Sequence, residues 1–550
     1  MIEEKQTAIF NLKSAILIAL GALVAAGAIL FLVSVPARTV PVFIARGWTE
    51  LASRTVAGAY HVHSTRSDGN GDVATIAAAA ARAGLKFVII TDHGDGTRSL
   101  DRPAYLDGVL CLDAVEISTD DGHYVALDMP PSPYPLGGTA SAVVEDVARL
   151  GGFGIAAHPD SPKAALRWTD EHLPVDGIEW VNADSEWRDE TRTALARAAL
   201  GYFVRPSEAL SELLDRPAAL QRWDRWSASR PIVALAGADA HGGIGRGTEE
   251  GSAGVLARLG IPSYEAAFRT FSNRVILDRP LTGDPAVDAR GVFAAIRRGS
   301  VFTVVDALAT PGLLDFHRDG STLVTRVAAP PRAQLVMIHQ GTEVARTSGP
   351  ELRWESGGDG GPYRVEVHLS DAPGTPPVPW LVSNELFTSL AGPKPRIGFE
   401  VPWTGSFSAP VPWRIEKEPS SSGELETTSA GATLTYGLGQ DRQNSPFVAL
   451  ATDLRGESFS AIEAALSSSR PTRVSIQGRA DGTGRWGSSV FVDSSNRLVR
   501  IPLSALRSME HGGPIPPSTS LTSILIVIDS TNTPPGASGR LTVRSLRLVP

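Results

Sequence analysis

Two rhythms of apolar residues divide the chain. Between about 56 and 306, short continuous apolar runs alternate with stretches of helical period. The runs at 57–63, 87–91, 109–117, 123–127, 153–157, 177–181 and 232–236 predict strands buried on both faces. Between them, the Ala-rich stretch 72–82 favours a helix that Gly84 is placed to end, and helices are predicted at 139–150, near 191–202 and at 206–214. Continuous apolar strands separated by helices predict a parallel sheet, most economically a β/α barrel. Beyond about 311 the helical period fades. Pro, Gly, Ser and period-two alternation take over, as in YRVEVHL at 363–369 and in runs at 334–338, 489–492, 497–501, 524–528 and 541–548. Short alternating strands with turn signals between them predict β-sandwiches.

One apolar stretch belongs to neither rhythm. Residues 15–35 read AILIALGALVAAGAILFLVSV, which as a helix is roughly 31 Å long, enough to cross a bilayer core. A cleaved signal peptide ending at Val35-Pro36-Ala37 is the alternative, but an apolar segment this long favours an uncleaved anchor. Lys5 and Lys13 on one side and Arg38 and Arg46 on the other leave the positive-inside bias nearly balanced. A short tail before one helix and a large body after it predict a single-pass protein whose bulk is extracytoplasmic. The chain therefore divides into a tail at 1–14, a transmembrane helix at 15–35, a barrel at 50–310, a small β domain at 311–405 and a β-sandwich at 406–550.

Composition narrows the partners. The net charge of −8 argues against a large nucleic-acid surface, which needs a basic stripe. The single cysteine, Cys111, excludes an intramolecular disulfide and a Cys-rich zinc site.

The chemistry gathers at the predicted strand ends. His61 and His63 end the first strand, and in an extended chain residues two apart share a face, so both can reach one metal. Asp68 follows, in Ser67-Asp68-Gly69, where capping a turn is the alternative use. Thr91-Asp92-His93 ends the second strand, Glu116 lies near the end of the third, and His123 opens the fourth, where an ordinary half-buried strand histidine is the alternative. His158-Pro159 ends the next, and Asp239 and His241, again two apart, end the run that begins at Ile232. A barrel places its active site at these ends. Asp92 is placed either to orient the neighbouring imidazole or to cap the following turn. Arg66 and Arg246 are candidates to hold a substrate anion, whereas His172 falls outside the pattern and reads as a surface loop residue.

These motifs, in this order, resemble the PHP (polymerase and histidinol phosphatase) family of metal-dependent phosphoesterases: His61-x-His63 with Ser67-Asp68-Gly69, Thr91-Asp92-His93, Glu116-Ile117-Ser118 with Gly122-His123, Ala157-His158-Pro159, and Gly237-Ala238-Asp239-Ala240-His241. The resemblance covers about 55–310. It implies a distorted seven-stranded β/α (PHP) barrel, which together with the apolar run 15–35 and the alternating strands makes an α/β plus all-β chain: an N-terminal transmembrane helix, the barrel and two β-sandwich-like domains. It further implies up to three metals, the first held by His61, His63, Glu116 and Asp239. Glu116 would bridge to a second, also held by His123 and His158, and Asp68, His93 and His241 would hold a third. Residues 294–307, 363–366 and 379–384 are similar to the carbaryl-hydrolase-like (CehA/McbA-type) branch, and the last 140 residues resemble a carbohydrate-binding jelly-roll.

Mixed nitrogen and oxygen donors without thiolate suit two to three divalent transition-metal ions, Zn, Mn or Fe. Three carboxylates and six neutral imidazoles around three such ions leave a net positive, oxygen-seeking site. The expectation is a membrane-anchored phosphoesterase that uses metal-bound hydroxide on a small-molecule phosphoester. A carboxyl or carbamate ester hydrolase at the same metals is one alternative. A surface protein that binds polysaccharide without catalysis is another, with Trp413 and Trp486 as candidate exposed aromatics.

Overall fold

The computed structural model describes residues 18–27, 39–243, 260–357, 360–388, 392–395, 397–402, 411–429, 431–480, 484–509 and 513–550. The predicted tail 1–14, most of the span 15–35 and Arg246 lie outside them. Residues 18–27 are helical, with Ile18, Leu20, Leu23 and Val24 exposed. Among the described residues no helix is long and apolar enough to cross a membrane.

The apolar runs of the first half become two sheets. One takes, in order of neighbours, Val233–Gly237, Gly177–Asn182, Phe153–Ala156, Gly122–Leu127 and Val115–Thr119. The other carries Ser272–Ile276, Thr55–Ala59, Phe87–Ile90 and Val109–Asp113 side by side. The two meet at isolated bridges, Val62 with Ala240 and His93 with Glu116, and are not one continuous ladder. The run expected as a single strand at 109–117 breaks at Ala114. Its first half pairs with Phe87–Ile90 and its second half with Gly122–Leu127.

The expected parallel sheet is also corrected. Gly122–Leu127 runs antiparallel to both Val115–Thr119 and Phe153–Ala156. Asp120 and Asp121 are all that separates the first pair, and a parallel crossover needs a dozen or more residues. Alternate strand residues, among them Phe87, Ile89, Leu110, Leu112, Val125, Ile155 and Leu235, form one buried cluster with Val292 and Ile296 of the helix Pro285–Arg297.

The region 311–405 is not a separate sandwich. Pro362–His368 and Leu381–Ser383 join the sheet that carries Thr55–Ala59 through Val301–Val304, and Trp380 Nε1 donates to Ala309 O at 2.9 Å. Leu323, Val327 and Val365 share one apolar core with Ile178 and Trp223 of the first half. The C-terminal part is a sandwich of two six-stranded sheets around Leu450, Ile462, Ile476, Ile526 and Leu541. It begins before 406, because Glu400–Val401 pairs with Arg497–Pro502. Trp413 and Trp486 are half-buried against this core, and Trp486 Nε1 donates to Gly513 O at 3.3 Å.

One buried arginine fastens the sandwich to the first half. Arg473 reaches Asp146 Oδ1 (2.7 Å), Glu145 Oε2 (2.8 Å) and Ala142 O (3.3 Å) on the helix Ala140–Arg149, and Ser489 Oγ and O within the sandwich. All five guanidinium N–H groups have a target. Arg473→Ala would leave buried Asp146 with Arg149 (2.8 Å) as its remaining cation and strip the bonds to Glu145 and Ala142 O, so we expect a loss on the order of 1–3 kcal/mol in denaturant unfolding. A loss below about 1 kcal/mol would show the clamp to be dispensable.

A second buried group gives the fold a pH dependence. Glu385 takes a hydrogen bond from Ser227 Oγ at 2.7 Å, and its other oxygen has no partner. Burial pushes its carboxyl from 4.5 up to about 8, against the Ser227 bond and the charge of Arg364. The folded state thus keeps a proton that the unfolded chain gives up. The associated stability is intact below about 4.5 and is lost as pH rises towards 8. Glu385→Gln should raise the melting temperature at pH 8 and change it little at pH 4.5. An equal shift at both pH values would contradict the reading.

Candidate metal centre

The strands stop short of the histidines they were expected to carry. Thr55–Ala59 ends two residues before His61, and Val233–Gly237 ends two before Asp239. His61, His158 and Asp239 have φ of 63°, 29° and 43°, a region that residues with side chains rarely occupy. Alternation along a strand therefore does not explain the convergence of His61 with His63 or of Asp239 with His241. Backbone bonds at the seam do: His63 N donates to Ala240 O (3.0 Å), Ala240 N to His61 O (3.2 Å) and Ala238 N to Tyr60 O (2.9 Å). Such conformations cost of order 1–3 kcal/mol each and persist where surrounding structure overrides them.

All nine expected ligands come together. His61 Nε2 and His63 Nε2 are each 3.3 Å from Glu116 Oε2, and 3.5 and 3.3 Å from Asp239 Oδ1. Separations of this size are those between neighbouring ligand atoms about 2.0–2.3 Å from a shared ion. The other Glu116 oxygen, Oε1, faces His123 Nδ1 (2.8 Å) and His158 Nε2 (2.9 Å). Asp68 Oδ2 faces His241 Nε2 (3.2 Å) and His93 Nε2 (3.7 Å). Glu116 is thus shared between two groups of imidazoles, as a bridging carboxylate would be. Asp68 and His93 form the partly exposed side, Asp239 and His241 are half-buried, and His61, His63, Glu116, His123 and His158 are buried.

The fit to cations does not rest on residue type alone. His61 Nε2, Asp68 Oδ1 and Glu116 Oε2 are buried without a hydrogen-bond partner, and Glu116 Oε2 and His61 Nε2 face the same point. Burial opposes charge on Glu116, yet His61, His123 and His158 hold its carboxyl well below the usual range. Against the same burial penalty, Asp239 and Glu116 hold the His63 imidazole up to about 10. The carboxylates draw positive charge into the cavity, which protons or metal ions can supply.

Glu179 was missed by sequence reasoning. It is fully buried and its Oε1 is 2.5 Å from His61 Nδ1, while Oε2 accepts from His158 N (2.7 Å) and Asn182 Nδ2 (2.8 Å). A carboxylate behind a ligand imidazole fixes its tautomer and orientation. Gly237 makes room for it, since a Cβ there would lie 2.6 Å from the Glu179 carboxyl carbon. The available signal was a lone acid in the apolar run GIEWVN. Tyr264 was missed too: its hydroxyl donates to His63 O (2.7 Å) and accepts from Gly71 N (3.1 Å).

Asp92 does not orient an imidazole. It accepts from Ser64 N (2.7 Å), Ser64 Oγ (2.6 Å) and Ser67 Oγ (2.6 Å), which pins the turn between His63 and Asp68. Arg66 is tied to Asp101 and Asp113. His172 is exposed, as expected.

No protein-family model matches the chain, and no curated protein matches it. Among solved structures, a two-domain protein from Bacteroides vulgatus containing a predicted PHP-like metal-dependent phosphoesterase is similar at 14% identity. It matches 64% of this chain and 100% of its own, with a TM-score of 0.32. A family 11 carbohydrate-binding module of a cellulosomal cellulase from Clostridium thermocellum matches 25% of this chain and 86% of its own at 18% identity, with a TM-score of 0.21.

His61→Ala and Asp239→Ala should each lower the metal bound per chain, read by elemental analysis after gel filtration. Glu179→Gln, which keeps a hydrogen bond but removes charge, should weaken metal affinity by about 10- to 100-fold. Wild-type metal content in all three variants would refute the assignment.

Proposed function

We propose that the chain is a metal-dependent hydrolase of the PHP type acting on phosphoesters. The observation that carries this is the division of the Glu116 carboxylate, one oxygen towards His61, His63 and His93 and the other towards His123 and His158. His61, His63, Glu116 and Asp239 would hold one divalent ion, Glu116 with His123 and His158 a second, and Asp68, His93 and His241 a third. When bound, such ions act as Lewis acids and lower the pKa of water towards neutrality.

The chain's own groups do the positioning. Glu179 accepts the Nδ1 proton of His61, which turns the Nε2 lone pair towards the centre. Leu166 O accepts from His158 Nδ1 at 3.0 Å and turns its Nε2 the same way. Asp92 holds the turn that carries Asp68. The partly exposed side at Asp68 and His93 leaves a way in for the ester, and Lys163 lines the same cavity and adds positive charge. A net positive site favours a substrate that brings negative charge in its ground state. Phosphate esters do so, whereas carbamates and carboxyl esters develop charge only on the way to the transition state. The apolar run 15–35 supports placing this body at the outer face of a membrane.

The full-length protein should cleave a nitrophenyl phosphoester faster than a naphthyl carbamate, lose that activity on chelation and regain it with Mn or Zn. Carbamate turnover above that of every phosphomono- and diester tried would replace this reading with the carbamate one.

A further inference from the structure

The cavity that contains the metal centre extends well beyond it. Its volume is about 670 Å³, within the range of about 300–1,000 Å³ common for small-molecule sites. Its lining includes the candidate metal residues His63, Asp68, His93, Glu116, Asp239 and His241. Beside them stands an apolar wall of Leu195 and Ala198 of the helix Arg192–Tyr202, Leu210 of the helix Pro206–Ser211, and Leu213, Leu214 and Phe271.

Several polar groups that line the cavity are already committed. Asp184 pairs with Arg188 (2.5 and 2.9 Å) and accepts from Trp187 Nε1 (3.0 Å), so the ion pair cancels its own charge. Glu186 accepts from Asp215 N at 3.1 Å, and burial pushes its carboxyl well up, towards the neutral form. Thr270 Oγ1 donates to Ala266 O at 2.9 Å. A polar or charged occupant along these apolar side chains would lose water and meet mostly carbon, at a cost of roughly 1–3 kcal/mol per unpaired group. An apolar occupant loses nothing. The wall is apolar on its outer side as well, where Leu200 is 72% and Phe203 70% exposed.

We infer that the cavity binds the apolar tail of an amphiphilic phosphoester, with the charged head at the ligand cluster and an alkyl chain along Leu195, Leu210, Leu213 and Phe271. The head rests on the phosphoesterase reading; the tail rests on the wall alone.

The test uses the full-length, metal-replete protein and methyl, propyl and hexyl nitrophenyl phosphodiesters kept below micelle-forming concentrations. Each methylene that enters the wall should raise kcat/KM by about two- to fourfold, so hexyl should exceed methyl by at least about tenfold. Ala198→Trp and, at a more exposed lining position, Ala199→Phe should bring the hexyl-to-methyl ratio down towards one. Calorimetry with hexylphosphonate and methylphosphonate reads the tail site without turnover, and hexylphosphonate should bind at least tenfold tighter. Tighter hexylphosphonate binding with no ester cleaved would uphold the tail site and sink the phosphoesterase reading. Esters cleaved at rates independent of chain length, with equal phosphonate affinities, would overturn the tail site and leave the phosphoesterase reading standing.

Discussion

Burying the carboxylate of Glu116 is the constraint around which the first half of the molecule is organised. It has no exposure to water, and five imidazoles from four separate chain segments surround it. An isolated charge in such a place costs several kcal/mol, and only positive charge close by repays it. The backbone accommodates this need rather than setting it. Strands stop early, three ligand residues take left-handed conformations, and two sheets that could have zipped together touch only at single bridges. Both bridges lie beside ligands, Val62 with Ala240 and His93 with Glu116, so the seams of the sheet system and the candidate centre are the same place.

Around that centre the supporting groups form a second layer with a clear division of labour. Glu179 acts from behind His61 and His158, Asp92 from beneath the turn at Ser64–Ser67, and Tyr264 from the side of His63. Each is buried and each restrains a ligand-bearing segment rather than facing the ligand cluster. The same economy extends outwards. Arg507 of the sandwich pairs with Asp121 and Asp170, and Asp121 ends the turn that leads into the strand Gly122–Leu127, so the C-terminal sandwich braces the turn just before His123.

Much of this was legible in the sequence, for physical reasons that also explain what was not. The helices were readable because caps and apolar period mark their ends: Asp72, Thr139 and Thr191 each accept a backbone N–H at the start of a helix at or beside the predicted boundary. The nine candidate residues were readable because their types and order are unusual at the ends of apolar runs, and the structure brings them together. Their convergence was attributed to strand alternation, and that failed, because φ at His61 and Asp239 depends on contacts across the seam that no local pattern encodes. Asp92 stayed open between two uses for a similar reason: adjacency to His93 in sequence says nothing about which way a carboxylate turns, and the carboxylate takes its three hydrogen bonds from Ser64 and Ser67. The separate small domain at 311–405 failed because alternation identifies a strand but not its neighbour, and Leu381–Ser383 pairs with Val301–Val304 across the expected boundary.

The central claim is that the convergence on Glu116 exists to hold metal ions, and crystals of the full-length protein grown with Mn or Zn test it most directly. Anomalous difference maps at the metal edge should show a peak about 2.0–2.2 Å from His61 Nε2, His63 Nε2, Glu116 Oε2 and Asp239 Oδ1, and a second beside Glu116 Oε1, His123 and His158. Maps without a peak at either position, with His61 and His63 in direct hydrogen bonds to the Glu116 and Asp239 carboxylates in the presence of excess metal, would contradict it.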